Sequence, residues 1–377
     1  MKRRVLGIVA VLVLAGCASS APSPGAPTAP SATAVASAAS APTSTPAPTP
    51  TATPDLEARL DRLFSADFNG SVLVAKDGEI LYSKGIGMAD EATKLANTPE
   101  TRFRIGSITK QFTAMAILIL ESRGLVKPSD SICDYIDDCP KAWKAVTIEH
   151  LLAHTSGIAS YTDQPDFDPM KTATPSQIVA SVADIPLTWT PGESYSYTNT
   201  GYVLLGMVIE KVSGTSYEAF LQDEIFGPLG MKDSGYEHGD TPGLATGYSM
   251  GVKVADPLDM SLPYAAGGLY STVLDLNRWE EALYTERLAP AADMARFFTP
   301  MVESTDQAGF GYAYGQLVGD DRGSRLVWHN GGINGFYTHL SRYPDDHITV
   351  ALLTNRERSP DLGLLAQVAA KMARENP

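Results

Sequence analysis

The chain has 377 residues, of which 44% are hydrophobic and 19% are charged, and its formal net charge is −14. This composition is typical of a globular protein and excludes a coiled coil or a collagen-like fold. Because an acidic chain repels phosphate backbones, the charge also argues against nucleic-acid binding. The acidic residues begin only at Asp55, which divides the chain into a head, a spacer and a body.

The head, residues 1–17, has the pattern of a signal peptide. Three basic residues precede the apolar run Val5–Gly16, which is shorter than the roughly 20 residues of a membrane span. The run ends in Leu-Ala-Gly-Cys and resembles the lipobox of bacterial lipoproteins, in which the cysteine is lipidated. An ordinary signal peptide with an incidental Cys17 is the alternative. We expect an extracytoplasmic lipoprotein held at the bacterial membrane through Cys17, since an acidic body would be repelled by anionic lipids.

The spacer, residues 18–54, consists almost entirely of Ala, Ser, Thr and Pro and has no charged or aromatic residue. Such a segment buries too little apolar surface to offset the entropy cost of ordering it. We therefore predict a disordered tether over 18–54, followed by a single folded domain over 55–377.

Cys133 and Cys139 lie close together in the sequence. In an exported protein this spacing favours a disulfide, which would contribute about 2 kcal/mol by closing so short a loop. A metal site is the alternative, because Asp134, Asp137 and Asp138 lie between the two cysteines.

The N-terminal part of the body begins with a predicted helix over Asp55–Phe64. Two predicted strands follow, Ser71–Lys76 and Glu79–Lys84, and the Asp-Gly pair between them indicates a hairpin. Apolar residues at helical spacing then predict a buried helix over Ser107–Arg123, with Gly124 just past its end.

The C-terminal part of the body contains four predicted strands and a final helix: Tyr312–Val318, Arg325–Trp328, Tyr337–Tyr343, Ile348–Thr354 and Leu362–Arg374. Strands at both ends of the body predict one antiparallel sheet that is covered by helices. The residues between them predict an inserted, mostly helical region. The expected fold class is α+β.

Ser107 and Lys110 form the first candidate catalytic pair. If Ser107 opens the buried helix, Lys110 lies one turn further on the same face. A lysine whose pKa is lowered by desolvation can take the proton of a serine nucleophile, and a helix N-terminus can stabilise an oxyanion. An N-cap serine with an ordinary helical lysine is the alternative.

Tyr197 and Asn199 form the second candidate pair. A tyrosine near a lysine cation can ionise in part and act as a base, and an asparagine can bind a substrate amide through both its donor and its acceptor. A buried tyrosine followed by a turn asparagine is the alternative.

The third candidate is the stretch Trp-His-Asn-Gly-Gly at residues 328–332. Its glycines would allow close approach of a substrate backbone, and His329 could bind a carboxylate. A strand that ends in a Gly-rich turn is the alternative.

In their order and spacing, these three motifs resemble those of the penicillin-recognising serine hydrolases. The resemblance is to the branch with class C β-lactamases, serine D-Ala-D-Ala carboxypeptidases, D-aminopeptidases and related esterases. The stretches Phe103–Ser107, Leu151–Gly157 and Ala265–Thr272 resemble the same family. The resemblance covers about residues 55–375 and implies the β-lactamase/transpeptidase-like fold.

The resemblance implies a role for each matching residue. Ser107 would be the acylated nucleophile, and Lys110 and Tyr197 would transfer protons, with their division of labour open. Asn199 would contact the substrate amide. The backbone N–H groups of Ser107 and Gly332 would form the oxyanion hole.

The third motif is His-Asn-Gly, where Lys-Thr-Gly also occurs in the family. His329 and Gly331 would contact substrate, but a histidine is mostly neutral near pH 7. The sequence therefore favours a D-peptidase or esterase over an efficient β-lactamase. A non-catalytic module of the same fold that binds penicillin or cell-wall peptides is the alternative. The expected partner is a small-molecule or peptide acyl substrate, with no cofactor or metal, and the expected state is a monomer.

Three other patterns resemble functional motifs. Ser249 lies in a Gly-x-Ser-x-Gly match, but the turn residues around it do not fit a strand followed by a helix. His150 and His154 lack the intervening glutamate of a zinc-binding helix, and 345–347 is typical of a polar hairpin tip. We expect structural roles for all of them.

Overall fold

The computed structural model describes residues 53–65, 67–249 and 253–376. The predicted signal peptide, Cys17 and almost all of the predicted tether lie outside these ranges. No helix within the described ranges is long and apolar enough to cross a membrane.

The described residues form fifteen strands. In chain order these are β1 (Gly70–Lys76), β2 (Glu79–Ile86), β3 (Met88–Asp90), β4 (Leu95–Ala96), β5 (Phe103–Arg104), β6 (Gly235–Tyr236), β7 (Tyr248–Ser249), β8 (Lys253–Val254), β9 (Leu269–Ser271), β10 (Val302–Glu303), β11 (Phe310–Tyr312), β12 (Leu317–Asp321), β13 (Ser324–Ile333), β14 (Phe336–Tyr343) and β15 (Ile348–Thr354).

Eight strands form the central sheet, in the order β10-β11-β12-β13-β14-β15-β1-β2. Every neighbouring pair is antiparallel. β1 pairs with β15 from Gly70 opposite Thr354 to Lys76 opposite Ile348, so the two ends of the folded domain meet in one sheet. The predicted antiparallel sheet and the α+β fold are confirmed.

The hairpin between β1 and β2 turns at the predicted Asp-Gly pair. Asp77 and Gly78 both have positive φ, 54° and 80°, as the favoured two-residue hairpin turn requires.

The predicted strand Tyr312–Val318 is wrong in one respect, because the chain turns inside it. Gly315 has φ of 73°, and the Ala313 N–H donates to the Gln316 carbonyl across the turn at 2.8 Å. The segment therefore belongs to two strands, β11 and β12.

The described residues also form eleven α-helices: α1 (Pro54–Phe64), α2 (Thr109–Ser122), α3 (Ile148–Leu152), α4 (Pro175–Ala180), α5 (Asn199–Ser213), α6 (Tyr217–Leu221), α7 (Gly227–Leu229), α8 (Tyr264–Gly267), α9 (Val273–Ala282), α10 (Ala291–Phe297) and α11 (Leu362–Arg374). A π-helical segment, Gln222–Phe226, joins α6 to α7. Four single 3₁₀ turns are Gly106–Ile108, Ile132–Asp134, Lys141–Trp143 and Tyr161–Asp163.

Each face of the sheet packs against a different helical layer. Along β1, Val72 and Val74 belong to the same apolar cluster as α1 and α11. Leu73 and Ala75 belong to the larger cluster with α2, α5 and α9. This alternation follows from the two-residue period of a strand, and it places the inserted helical region on one face only.

A disulfide joins Cys133 to Cys139, as the sequence predicted. The described residues contain no group of three or more His, Cys, Asp or Glu side chains that could hold a metal ion.

Candidate active site

A tight turn before α2 positions Ser107. Gly106 has φ of 52°, and a Cβ on this residue would lie 3.0 Å from the backbone nitrogen of Gly332 in β13. The turn can approach the strand this closely because residue 106 is a glycine. Ser107 lies in the 3₁₀ turn and α2 begins at Thr109, so the helix starts two residues later than the sequence predicted.

Lys110 lies in the first turn of α2, and its side chain is fully buried. Its Nζ lies 3.1 Å from Ser107 Oγ, 2.9 Å from Asn199 Oδ1 and 2.8 Å from the Ala266 carbonyl oxygen. Desolvation holds the pKa of Lys110 well below its usual value, because the ammonium ion loses its hydration in the protein interior.

Tyr197 also contacts Ser107. It lies two residues before the start of α5, and its hydroxyl donates to Ser107 Oγ at 2.8 Å. Burial raises the pKa of Tyr197, so its phenol stays protonated near neutral pH. Asn199 is the first residue of α5, and its Nδ2 donates to Thr162 Oγ1 at 3.3 Å.

His154 supports the loop that carries Tyr197, a role that the sequence motifs did not indicate. Its ring centroid lies 4.4 Å from that of Tyr197, and its Nδ1 accepts the backbone N–H of Thr198 at 3.1 Å. His154 is fully buried with φ of 56°, an unusual conformation for a residue other than glycine.

Gly331 allows β13 to lie directly against the turn that carries Ser107. A Cβ on Gly331 would lie 1.9 Å from the carbonyl oxygen of Ile105. That same oxygen accepts a hydrogen bond from Thr338 Oγ1 at 2.9 Å. Gly331 is therefore buried against protein, and its neighbour Gly332 is exposed.

His329 does not reach the cleft beside Ser107. Its side chain is 3% exposed; Nε2 lies 3.2 Å from the Tyr312 hydroxyl, and Nδ1 bonds to the carbonyl oxygen of Asn330. Burial lowers the pKa of His329 to about 3, so the imidazole is neutral. The sequence predicted substrate contacts for His329 and Gly331; the structure places both behind the wall of the cleft.

The cleft beside Ser107 has a volume of about 180 Å³. Apolar side chains from the inserted region line much of it: Tyr161, Phe167, Leu258 and Leu262. Sequence patterns did not point to these residues. Ser107, Asn199 and Gly332 also line the cleft, and no Lys, Arg, Asp or Glu among the described residues does.

The residues of the three other sequence patterns make structural contacts. Ser249 pairs with Lys253 in the short sheet of β7 and β8. His150 caps α3, where its Nδ1 accepts the Thr147 N–H at 3.2 Å. His347 lies between β14 and β15, and its Nε2 is 3.2 Å from Glu281.

Comparison with known proteins agrees with this geometry. The beta-lactamase family model matches residues 60–373. Penicillin-binding protein 4* of Bacillus subtilis (strain 168) is 31% identical over 316 residues, which cover 78% of this chain and 69% of that protein.

Two solved structures resemble the fold closely. The octameric penicillin-binding protein homologue from Pyrococcus abyssi has a TM-score of 0.75 and 31% identity, over 85% of this chain and 77% of that one. The D-amino acid amidase from Ochrobactrum anthropi SV3 complexed with D-phenylalanine has a TM-score of 0.73 and 25% identity, over 85% and 98% of the two chains. The predicted resemblance to penicillin-recognising serine hydrolases is confirmed, and the chain belongs to the beta-lactamase family.

Proposed function

We propose that this protein is a serine hydrolase that forms an acyl-enzyme on Ser107 and cleaves a neutral amide or ester. The observation that carries the proposal is the position of Ser107 Oγ, 3.1 Å from Lys110 Nζ and 2.8 Å from the Tyr197 hydroxyl. A nucleophile within hydrogen-bond reach of two proton-transfer groups is the arrangement that acyl transfer requires.

The partners of Lys110 favour this residue as the general base. The Asn199 Oδ1 and the Ala266 carbonyl have no proton and can only accept. A neutral amine donates its two protons to these oxygens, which leaves its lone pair for the Ser107 hydroxyl. Because desolvation favours the neutral amine, the lysine is ready to accept the serine proton.

Tyr197 is then the group that protonates the leaving group. In the first step, Ser107 Oγ bonds to the substrate carbonyl carbon, and its proton moves to Lys110. As the amine or alcohol departs, it takes a proton from Tyr197, which regains one from Lys110. Water then cleaves the ester, releases the acid and restores Ser107, with the N–H groups of Ser107 and Gly332 as donors to the oxyanion.

The uncharged cleft favours a neutral substrate. No charged side chain of the described residues lines it, and the pKa of about 3 keeps His329 neutral. A substrate carboxylate would therefore lose its hydration without gaining a cationic partner. The apolar wall fits a large apolar side chain, and the similarity to a D-amino acid amidase supports the D-configuration. We therefore place N-acylated D-amino acid amides and esters, which are neutral, ahead of peptides that end in a free D-Ala.

The test combines covalent labelling with turnover. Fluorescent penicillin and a fluorophosphonate should label the wild type, and Ser107→Ala should abolish the label. N-acetyl-D-phenylalanine amide and a neutral p-nitrophenyl ester should be hydrolysed with higher kcat/KM than a D-Ala-D-Ala peptide or nitrocefin, by about tenfold or more.

Two outcomes would change the assignment. A label on Ser107 without turnover of any substrate would favour the non-catalytic binding module. A label that persists in Ser107→Ala would overturn the nucleophile.

A further inference from the structure

Lys110 has no negatively charged partner, although the proposed reaction turns it into a cation. Its three hydrogen-bond partners are the Ser107 hydroxyl, the Asn199 side chain and the Ala266 carbonyl, and all of them are neutral. No ion pair within the described ranges includes Lys110. A buried ammonium ion without an electrostatic partner is costly, so the site needs another source of stabilisation when Lys110 accepts the serine proton.

Two tyrosine rings face the Lys110 amine. Nζ lies 4.7 Å from the centroid of the Tyr197 ring and 5.4 Å from the centroid of the Tyr202 ring. The face of an aromatic ring attracts a cation within about 6 Å of its centroid, most strongly where water is excluded. Tyr197 also reaches the nucleophile through its hydroxyl. In the described part of the chain no hydrogen bond joins Tyr202 to Ser107 or Lys110, so its ring is the only part of Tyr202 that can act on the amine.

The first turn of α5 holds the Tyr202 ring in this position. Asn199 and Tyr202 are three residues apart, so they lie on the same side of the helix, and both contact the Lys110 amine. The Tyr202 side chain is fully buried, and its hydroxyl donates to the Leu152 carbonyl oxygen at 3.1 Å. The ring therefore faces Lys110 without having to rearrange during the reaction.

The other titratable groups around Lys110 carry no charge near neutral pH. Burial raises the pKa of Tyr197 and of Tyr202, at the start of α5. Burial lowers the pKa of His154, which follows α3, and that of His329 in β13. A carboxylate in this position would hold Lys110 as an ammonium ion and prevent it from acting as a base. A neutral ring attracts the ammonium ion more weakly, so the resting amine stays neutral.

We propose that Tyr202 is a positioning residue of the reaction, because its ring face stabilises the ammonium ion that Lys110 forms. As Ser107 Oγ bonds to the substrate carbonyl carbon, the carbonyl electron pair moves to the oxyanion and the serine proton moves to the Lys110 lone pair. No bond to Tyr202 forms or breaks, and the new positive charge lies against its ring. This inference rests on the proposed function, in which Lys110 is the general base.

Replacing Tyr202 by phenylalanine and then by mono-, di- and trifluorinated phenylalanine tests the role of the ring. Fluorine withdraws negative charge from the ring face and hardly changes the size of the ring, so a purely structural role predicts no trend. NMR with lysine labelled at the ε-carbon measures the pKa of Lys110, and Lys110→Arg identifies its signal. This pKa should fall stepwise along the series, by about one unit in total. The acid limb of kcat/KM should move to lower pH by the same amount.

The same analogues at Tyr217 are the matched control. Tyr217 is also a buried tyrosine beside α2, and its hydroxyl lies 2.7 Å from Thr113 Oγ1, but within the described ranges its ring does not face Lys110. This second series should leave the pKa of Lys110 unchanged.

Three outcomes would overturn the proposal: a constant Lys110 pKa along the Tyr202 series, an equal fall along the Tyr217 series, or a falling pKa with an unmoved acid limb. A wild type that hydrolyses no substrate would instead refute the proposed hydrolase. The NMR titration would then still decide whether the Tyr202 ring stabilises the ammonium ion.

Discussion

Lys110 Nζ lies 3.1 Å from Ser107 Oγ and is fully buried. This pair determines how the proposed activity should depend on pH. Burial disfavours the ammonium ion, so the pKa of Lys110 lies well below its usual value. Above that lowered pKa the amine is neutral and accepts the serine proton; below it the amine is protonated and cannot.

We therefore expect kcat/KM to fall as the pH decreases through the lowered pKa of Lys110. A pH profile with a neutral ester substrate measures this, and a flat profile from about pH 5 to 9 would contradict the role of Lys110. Lys110→Arg should lose about 10²- to 10⁴-fold in kcat at every pH, because a guanidinium stays protonated.

Tyr197→Phe should reduce the hydrolysis of an amide by about 10²- to 10⁴-fold. The variant removes only the hydroxyl that donates to Ser107 Oγ. The loss should be smaller for a p-nitrophenyl ester, because p-nitrophenolate leaves without needing a proton. Comparing kcat for the two substrates measures the difference.

Tyr195→Phe is the matched control for this prediction. Tyr195 is a buried tyrosine two residues earlier in the same loop, and it makes no hydrogen bond to Ser107 among the described contacts. This variant should change kcat little for either substrate. An equal loss for amide and ester in Tyr197→Phe would argue against its role toward the leaving group.

The sequence predicted those parts of the fold that local patterns determine. β15 and α11 have the predicted bounds, and the hairpin turns at the predicted residues, because periodicity and turn residues act over short distances. The turn at Gly315 was missed because it depends on a distant contact: a Cβ there would lie 2.5 Å from the backbone of Lys110.

The sequence predicted the motif residues of the candidate site but not the walls of its cleft. The structure brings together four residues whose order and spacing resemble those of a known family: Ser107, Lys110, Tyr197 and Asn199. The walls of the cleft were not predicted, because side chains such as Tyr161 and Leu262 come from irregular segments that only the tertiary fold brings together. The burial of His329 was missed for the same reason: its partner Tyr312 lies on another strand.

Cys17→Ala should move the protein from the membrane fraction to the soluble fraction. We propose that a lipid on Cys17 attaches the protein to the membrane. The chain has a net charge of −14, so anionic headgroups would repel its surface. Fractionation followed by immunoblotting measures this change. A protein that stays in the membrane fraction without Cys17 would contradict the lipobox prediction.

Acid should destabilise the folded domain through its buried imidazoles. Burial lowers the pKa of His329 to about 3 and that of His339 to about 4, against 6.5 for an unperturbed histidine. Between pH 6.5 and the lowered pKa values, these histidines bind protons in the unfolded chain but not in the folded chain. The stabilisation is therefore full above about pH 6.5 and is lost as the pH falls toward 4, by up to about 1.4 kcal/mol per pH unit for each histidine.

Urea unfolding between pH 7 and pH 4.5 measures this loss. His339→Phe removes one titrating group, so its free energy of unfolding should fall less steeply with decreasing pH than that of the wild type. An identical pH slope in the two proteins would show that His339 is not the group that titrates.

Substitution by alanine should destabilise the protein at Gly331 but not at its neighbour in β13, Gly332. In Gly331→Ala the new Cβ would lie 1.9 Å from the Ile105 carbonyl oxygen and 2.4 Å from Thr338 Oγ1. Because the first of these is backbone, β13 must move away from the Ser107 turn. We expect a loss of about 2 kcal/mol or more in stability, and a large loss of kcat as the turn shifts.

In Gly332→Ala the nearest atom to the new Cβ is Tyr337 Cδ2, at 4.0 Å, and the backbone conformation suits any residue. Its free energy of unfolding should stay within about 0.5 kcal/mol of the wild type. Urea unfolding of both variants at pH 7 measures the contrast. Equal stability of Gly331→Ala and Gly332→Ala would mean that β13 and the Ser107 turn are not in direct contact. The N–H groups of Ser107 and Gly332 could then not form the proposed oxyanion hole together.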